Sequence, residues 1–144
     1  MAKFVLDNAY FAGGAAGVGA TDLTTYTRSV TINFTAAEQD KTVMGNSAMA
    51  RLSGLKDVSI DVEFVQDFAD NALDETVWNW FNNGTDIFLS VAPEGGTESA
   101  TNPEYVGTFI CTAYTPIGGT VGDAAMATAN FVLSSGTMVT RDVS

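Results

Sequence analysis

The chain has 144 residues, six basic and seventeen acidic side chains, no histidine and one cysteine, for a formal net charge of −11. That balance excludes nucleic-acid binding by phosphate neutralisation and adhesion to an anionic membrane surface, since both need basic patches. Without imidazole there is no Ser-His-Asp or Cys-His nucleophile pair and no histidine-containing zinc site. A hydrophobic content of 46% with 16% charged residues describes one well-packed globular domain.

In chain order, residues 3–6 read as a short strand or arm. Asp7 and Asn8 cut the apolar run too early for a signal-peptide core, so the N-terminus is expected to be retained, and no stretch approaches a membrane span. Residues 12–20 are rich in Gly and Ala and read as a flexible connector. They lack both the G-x-G-x-x-G spacing and a P-loop lysine. Residues 1–20 are thus expected as arm and connector, and 21–144 as a β domain.

Residues 29–34 alternate, with Val30, Ile32 and Phe34 on one face and Thr31 and Asn33 on the other. A polar connection of about twenty residues, 35–55, is expected next, with a short strand at 41–44. Residues 58–64 alternate almost without error. Val58, Ile60, Val62 and Phe64 face one way, and Ser59, Asp61 and Glu63 the other. That is a half-buried strand whose open face is anionic.

Residues 71–81 predict the one good helix, with Asn71 as N-cap, Asp74 and Glu75 at the positive end of the dipole, and Asn83-Gly84 as the stop. Leu73, Val77, Trp80 and Phe81 form its apolar stripe, which predicts two or three aromatics buried against a sheet. Strands follow at 86–92, 104–115 and 124–134, with a surface loop at 93–103, and 137–143 are expected to pair back. Cys111 lies in an alternating apolar run and reads as a small buried residue. The pattern predicts a mainly β fold: a β-sandwich or partly open barrel of six to eight antiparallel strands, one flanking helix and a long early inter-strand loop.

Chemistry-bearing groupings are sparse. Asp67, Asp70, Asp74 and Glu75 are the best candidate for a Ca²⁺ site, but their spacing does not match an EF-hand and the helix start explains most of them. Asp61 and Glu63 share a strand face and offer a carboxylate pair for glycosidase chemistry, but no aromatic sugar platform or companion motif accompanies them. No enzyme signature survives. No catalytic residue, cofactor or metal ligand is assigned.

Several segments together resemble the tail tube (major tail) proteins of long-tailed, non-contractile bacteriophages. They are Thr42-Val43-Met44-Gly45, then Leu52-Ser53-Gly54-Leu55-Lys56-Asp57 leading into the strand to Phe64, and Gln66-Asp67-Phe68. Further on come Thr101-Asn102-Pro103-Glu104-Tyr105 and the run from Tyr114 to Asp123, YTPIGGTVGD, in the same order and spacing; the likeness spans residues 21–143. It implies a structural virion protein, assembled in the host bacterial cytoplasm as six-fold rings stacked into a tube. Its partners would be itself and other tail proteins, such as the tape measure and tail terminator, with DNA passing through unbound. It also implies that the early loop meets the neighbouring ring, through Glu38, Asp40, Lys41, Met44, Asn46, Met49 and Arg51.

A DNA conduit needs like charge along its bore. On that view Ser59, Asp61 and Glu63 face the lumen; the other reading of them is ordinary solvated surface. Two further classes remain: a capsid decoration or head–tail joining protein, and a cellular ligand-binding β-barrel with an apolar cavity.

Overall fold

A computed structural model describes residues 9–14, 21–70, 72–95, 99–134, 136 and 138–143. The expected arm at residues 3–6 lies outside them. The strands are β1 Tyr10–Gly14, β2 Thr21–Asp22, β3 Thr27–Asp40, β4 Arg51–Val65, β5 Ile87–Ala92, β6 Glu104–Gly118, β7 Met126–Leu133 and β8 Thr140–Asp142, and helix α1 spans Leu73–Asn83. They form one antiparallel sheet along the path β2-β1-β5-β6-β7-β4-β3, while β8 pairs with the start of β6 on the edge opposite β5, the edge that β7 takes up further along. The path ends at β2 and β3, which do not pair with each other, so the sheet is not closed into a barrel.

The sheet curls because its strands carry extra residues. β6 holds one more residue than β7 between Cys111 and Ala113, and again between Thr115 and Gly118. β3 gains one at Arg28 against β4. Each bulge raises the local right-handed twist. The curl brings Phe11 of β1 onto Phe64 of β4 and Phe131 of β7, with ring centroids 6.0 and 6.3 Å apart. Around these rings pack Val58, Ile60, Val62, Leu89, Phe109 and Cys111, all buried. The alternation read in the sequence of β4 is therefore real: its apolar residues fill the core, and Asp61 is exposed on the other side.

Three expectations need correction. The Gly/Ala-rich segment is a strand over Tyr10–Gly14, and Phe11 and Ala12 are completely buried. Glycine is required there by close approach: a Cβ on Gly13 would lie 2.6 Å from Leu89 and 2.9 Å from Trp80. Residues 15–20 lie outside the described chain. Second, the twenty-residue loop is mostly a hairpin; β3 and β4 pair out to Asp40 and Arg51, leaving residues 41–50 as the tip, with no strand at 41–44.

Third, α1 buries less than its stripe promised. Leu73 and Val77 are buried and Trp80 meets the edge of Phe131 at 6.1 Å, but Phe81 is 40% exposed and leans on Trp78, itself 48% exposed. Ala72 occupies the N-cap position without a side-chain cap, and the Asp74 N–H is satisfied by the Asp67 carbonyl at 3.1 Å. Asn71 lies outside the described residues. The stop is as expected, with Gly84 left-handed at φ 63°.

These contacts set an order of sensitivity. Trp80→Ala should cost about 2–3 kcal/mol, below the value for a fully buried aromatic, and Gly13→Ala about 1–3 kcal/mol through overpacking. Phe81→Ala should stay within about 0.5–1 kcal/mol. Urea unfolding of the three variants checks the ranking, and an equal loss at Phe81 and Trp80 would contradict it.

Candidate functional site

Two surfaces stand out. The first is the outer face of the sheet formed by β3, β4, β7 and β6. Cross-strand register builds it in rows. Thr31 lies beside Asp61, which lies beside Asn130; one row over, Ser29, Glu63 and Thr128 line up, and on the other side Asn33, Ser59 and Val132. The structure thus brings Ser59, Asp61 and Glu63 together on the face opposite the core.

The Asn130 amide Nδ2 donates to Asp61, while its Oδ1 accepts from the Thr112 hydroxyl at 3.2 Å. The rows of Asp61 and Glu63 line a shallow groove of about 260 Å³ that includes Thr115 and Ala113 and has no basic side chain in its lining; the Ser59 row lies outside it. Such a face carries negative charge and hydroxyls but no nucleophile–base pair. It is fit to border water and anions without holding them.

The second surface is the arm. β7 pairs with β4 from Ser59 to Val65, so from Val58 back to Arg51 β3 is the one strand that pairs with β4 among the described residues. The two strands run on as a ribbon whose bulge sets Gly54 and Leu55 of β4 against Ala37, where a Cβ on Gly54 would lie 3.1 Å from the Ala37 carbonyl oxygen.

The tip is ordered by its own hydrogen bonds. The Lys41 N–H donates to the Ala50 carbonyl (2.9 Å), the Ala50 N–H to the Thr42 hydroxyl (2.8 Å) and the Thr42 N–H to Asp40 (2.8 Å). Gly45 turns the chain at φ 97°. Arg51 and Glu38 form an ion pair at 2.8 Å, with both side chains at least half exposed. All seven residues assigned to the early loop, Glu38, Asp40, Lys41, Met44, Asn46, Met49 and Arg51, are exposed on this arm. Sequence reasoning missed Leu52 and Leu55 as exposed apolar members, although both lie in the segments that carried the resemblance.

Other resemblance segments meet where the helix joins the sheet. The Tyr114 hydroxyl donates to Asp74 at 2.7 Å and accepts from Gln66 Nε2 at 3.0 Å; the same Nε2 donates to the Pro116 carbonyl at 2.6 Å. Asp67 accepts from the Ala69 N–H at 2.9 Å. The candidate calcium ligands are therefore placed in turn and helix-start roles, and no group of three metal-ligating side chains occurs among the described residues. Among those residues, no helix is long and apolar enough to cross a membrane.

Burial pushes the Tyr114 phenol up to about 12 and the Cys111 thiol, which donates to the Ala113 carbonyl at 3.5 Å, up to about 11. Both groups bind their protons more tightly when folded. Their stabilisation is therefore complete below the ordinary values of 9.0 and 10.0 and is lost as pH rises toward 11 and 12. The urea midpoint should fall across that range. Tyr114→Phe should cost about 1–2 kcal/mol at neutral pH and flatten the fall between pH 10 and 12, and an unchanged slope would exclude this tyrosine as a source.

Solved structures share the fold. The tail of an empty gene transfer agent particle, refined helically with C6 symmetry, aligns at TM-score 0.71 and 19% identity over 92% of this chain and 94% of its own. A subunit of the native gene transfer agent virion aligns at 0.68 and 18% over 92% and 95%. The SPP1 tail tube, solved by solid-state NMR and cryo-electron microscopy, aligns at 0.71 and 12% over 95% and 78%. No protein-family model and no curated protein matches the chain.

Proposed function

We propose that this chain is the non-enzymatic building block of a phage-type tail tube, closing into rings that stack into a conduit for DNA. The observation that carries the reading is the arm. A two-stranded ribbon is marginal in water on its own, yet this one holds Val43, Met44, Met49, Leu52 and Leu55 exposed. An ordered apolar projection of that kind is expected where another copy covers it.

The fold shared with tail and tail-tube subunits over more than nine-tenths of the chain supports the same reading, and the C6 symmetry of one neighbour supports six subunits per ring. Ser59, Asp61 and Glu63 then line the bore, where carboxylates repel a passing polyanion. Glu38, Asp40, Lys41, Met44, Asn46, Met49 and Arg51 belong to the contact between rings. The protein resides in the virion tail after assembly in the host bacterial cytoplasm, with tape-measure and tail-terminator proteins as further partners. A head–tail joining protein would stop at single rings, which electron microscopy separates from tubes.

Removing residues 37–55 and joining Ala36 to Lys56 through Asn-Gly, a favoured hairpin turn, should leave a folded domain that no longer forms tubes in negative stain. Tubes as long as the parent's would exclude the arm from stacking.

Asp61→Lys with Glu63→Lys should change stability by no more than about 0.5 kcal/mol, as expected of surface positions. It should give normal tails that eject DNA more slowly, with the delay greatest at low salt. Normal ejection at two ionic strengths would remove these residues from the bore.

A further inference from the structure

The five most exposed large apolar side chains of the described residues lie toward the two ends of one strand. At the Arg51 end of β4 are Val43, Met44 and Leu55, with Met44 fully exposed. At the Val65 end are Ile117 and Val121, with Val121 fully exposed. The second group is placed by register: Val65 pairs with Met126, Met126 pairs with Gly118, and the Gln66 N–H donates to the Ala125 carbonyl at 2.9 Å. The turn between β6 and β7 therefore sits beside the end of β4, and Phe68, more than half exposed, follows that end by three residues. β4 is fifteen residues long, which sets the two ends roughly 45 Å apart for an extended strand.

The turn is a built feature. Gly119 and Gly122 adopt φ 119° and 100°, and the Asp123 N–H closes it onto the Thr120 carbonyl at 3.0 Å, so Val121 is held outward at its apex. Charge differs between the ends as well. The arm carries Lys41, Arg51 and Lys56 against Glu38, Asp40 and Asp57, a balance of zero within a chain at −11. The far end carries Asp67, Asp70 and Asp123, with Arg28 as the basic group nearby, its guanidinium 3.9 Å from Met126 Sδ.

We propose that the Ile117–Val121 turn with Phe68 is the receiving surface for the hairpin tip of a second copy. Met44 and Val43 of one copy cover Val121, Ile117 and Phe68 of the next, and Lys41 lies against the acidic rim of Asp67, Asp70 and Asp123. Methionine suits such a contact because its unbranched thioether adapts to an aromatic or branched neighbour. An interface that joins unlike ends of one molecule does not close on itself, so it repeats without limit and gives the polymer a direction. The proposal rests on the tube reading and assigns that tube its second contact surface, which lies far along the chain from the arm.

The test uses two full-length variants at exposed positions, Met44→Asp and Val121→Asp, with circular dichroism confirming that both fold. The first retains a receiving surface but no tip, and the second the reverse. Neither should grow into tubes alone. Mixed, each supplies what the other lacks once only, so sedimentation should show a species of twice the mass that either forms by itself. Tubes from Val121→Asp alone, or no doubling in the mixture, would overturn the docking while leaving tube assembly by the parent intact. A parent that never forms tubes would overturn the tube reading and the docking with it.

Discussion

β4 is longer than the sheet can use. Its second half sits between β3 and β7 and buries Val58, Ile60, Val62 and Phe64, while its first half has β3 as its one strand partner among the described residues. The same strand therefore anchors the core and projects the arm, and the polar face and the ribbon inherit their positions from one continuous backbone. Anything that shifted the register of β4 by one residue would turn Asp61 and Glu63 into the core and its apolar set outward. That cost is what fixes both surfaces relative to each other.

The curl of the sheet depends on the same economy. Bulges in β6 and β3 bend the sheet until Phe11 reaches Phe64 and Phe131, which lets a single open sheet enclose a core. The helix completes the enclosure with Leu73 and Val77, both buried in the core, and with Trp80, which rests over Gly13 and against Phe131. At its other end, Tyr114, Asp74, Gln66 and Pro116 tie α1 to β6 through polar contacts. The body is thus complete without the arm, and the residues of the arm add nothing to the buried core.

How much of this was legible in the sequence depended on whether a strand carried one apolar face. β4, β6, β7 and the buried Cys111 did, and their period or context revealed them. β1 did not, because Ala12, Gly13 and Gly14 have almost no side chains from which to read a period; their small size answers to Trp80 and Leu89, whose approach is visible only in three dimensions. The outer halves of β3 and β4 are polar or exposed on both sides, so they read as loop. Phe81 fell at helical spacing, yet Leu73, Val77 and Trp80 already span the contact, leaving it to stack on Trp78. The exposed turn at Val121 was part of a recognisable segment, but its place beside the end of β4 follows from pairing across sixty residues of chain.

In the assembled state the arm is held by neighbouring copies, on the reading proposed above. Backbone amide exchange in residues 36–40 and 51–57, compared between dilute subunit and assembled polymer, tests it directly, since protection reports local opening. Exchange along the arm should be fast in the subunit and slow in the polymer, with the core amides of β4 from Val58 to Phe64 slow in both. Equal arm protection in the two states would contradict it, because the ribbon would then be stable without any neighbour.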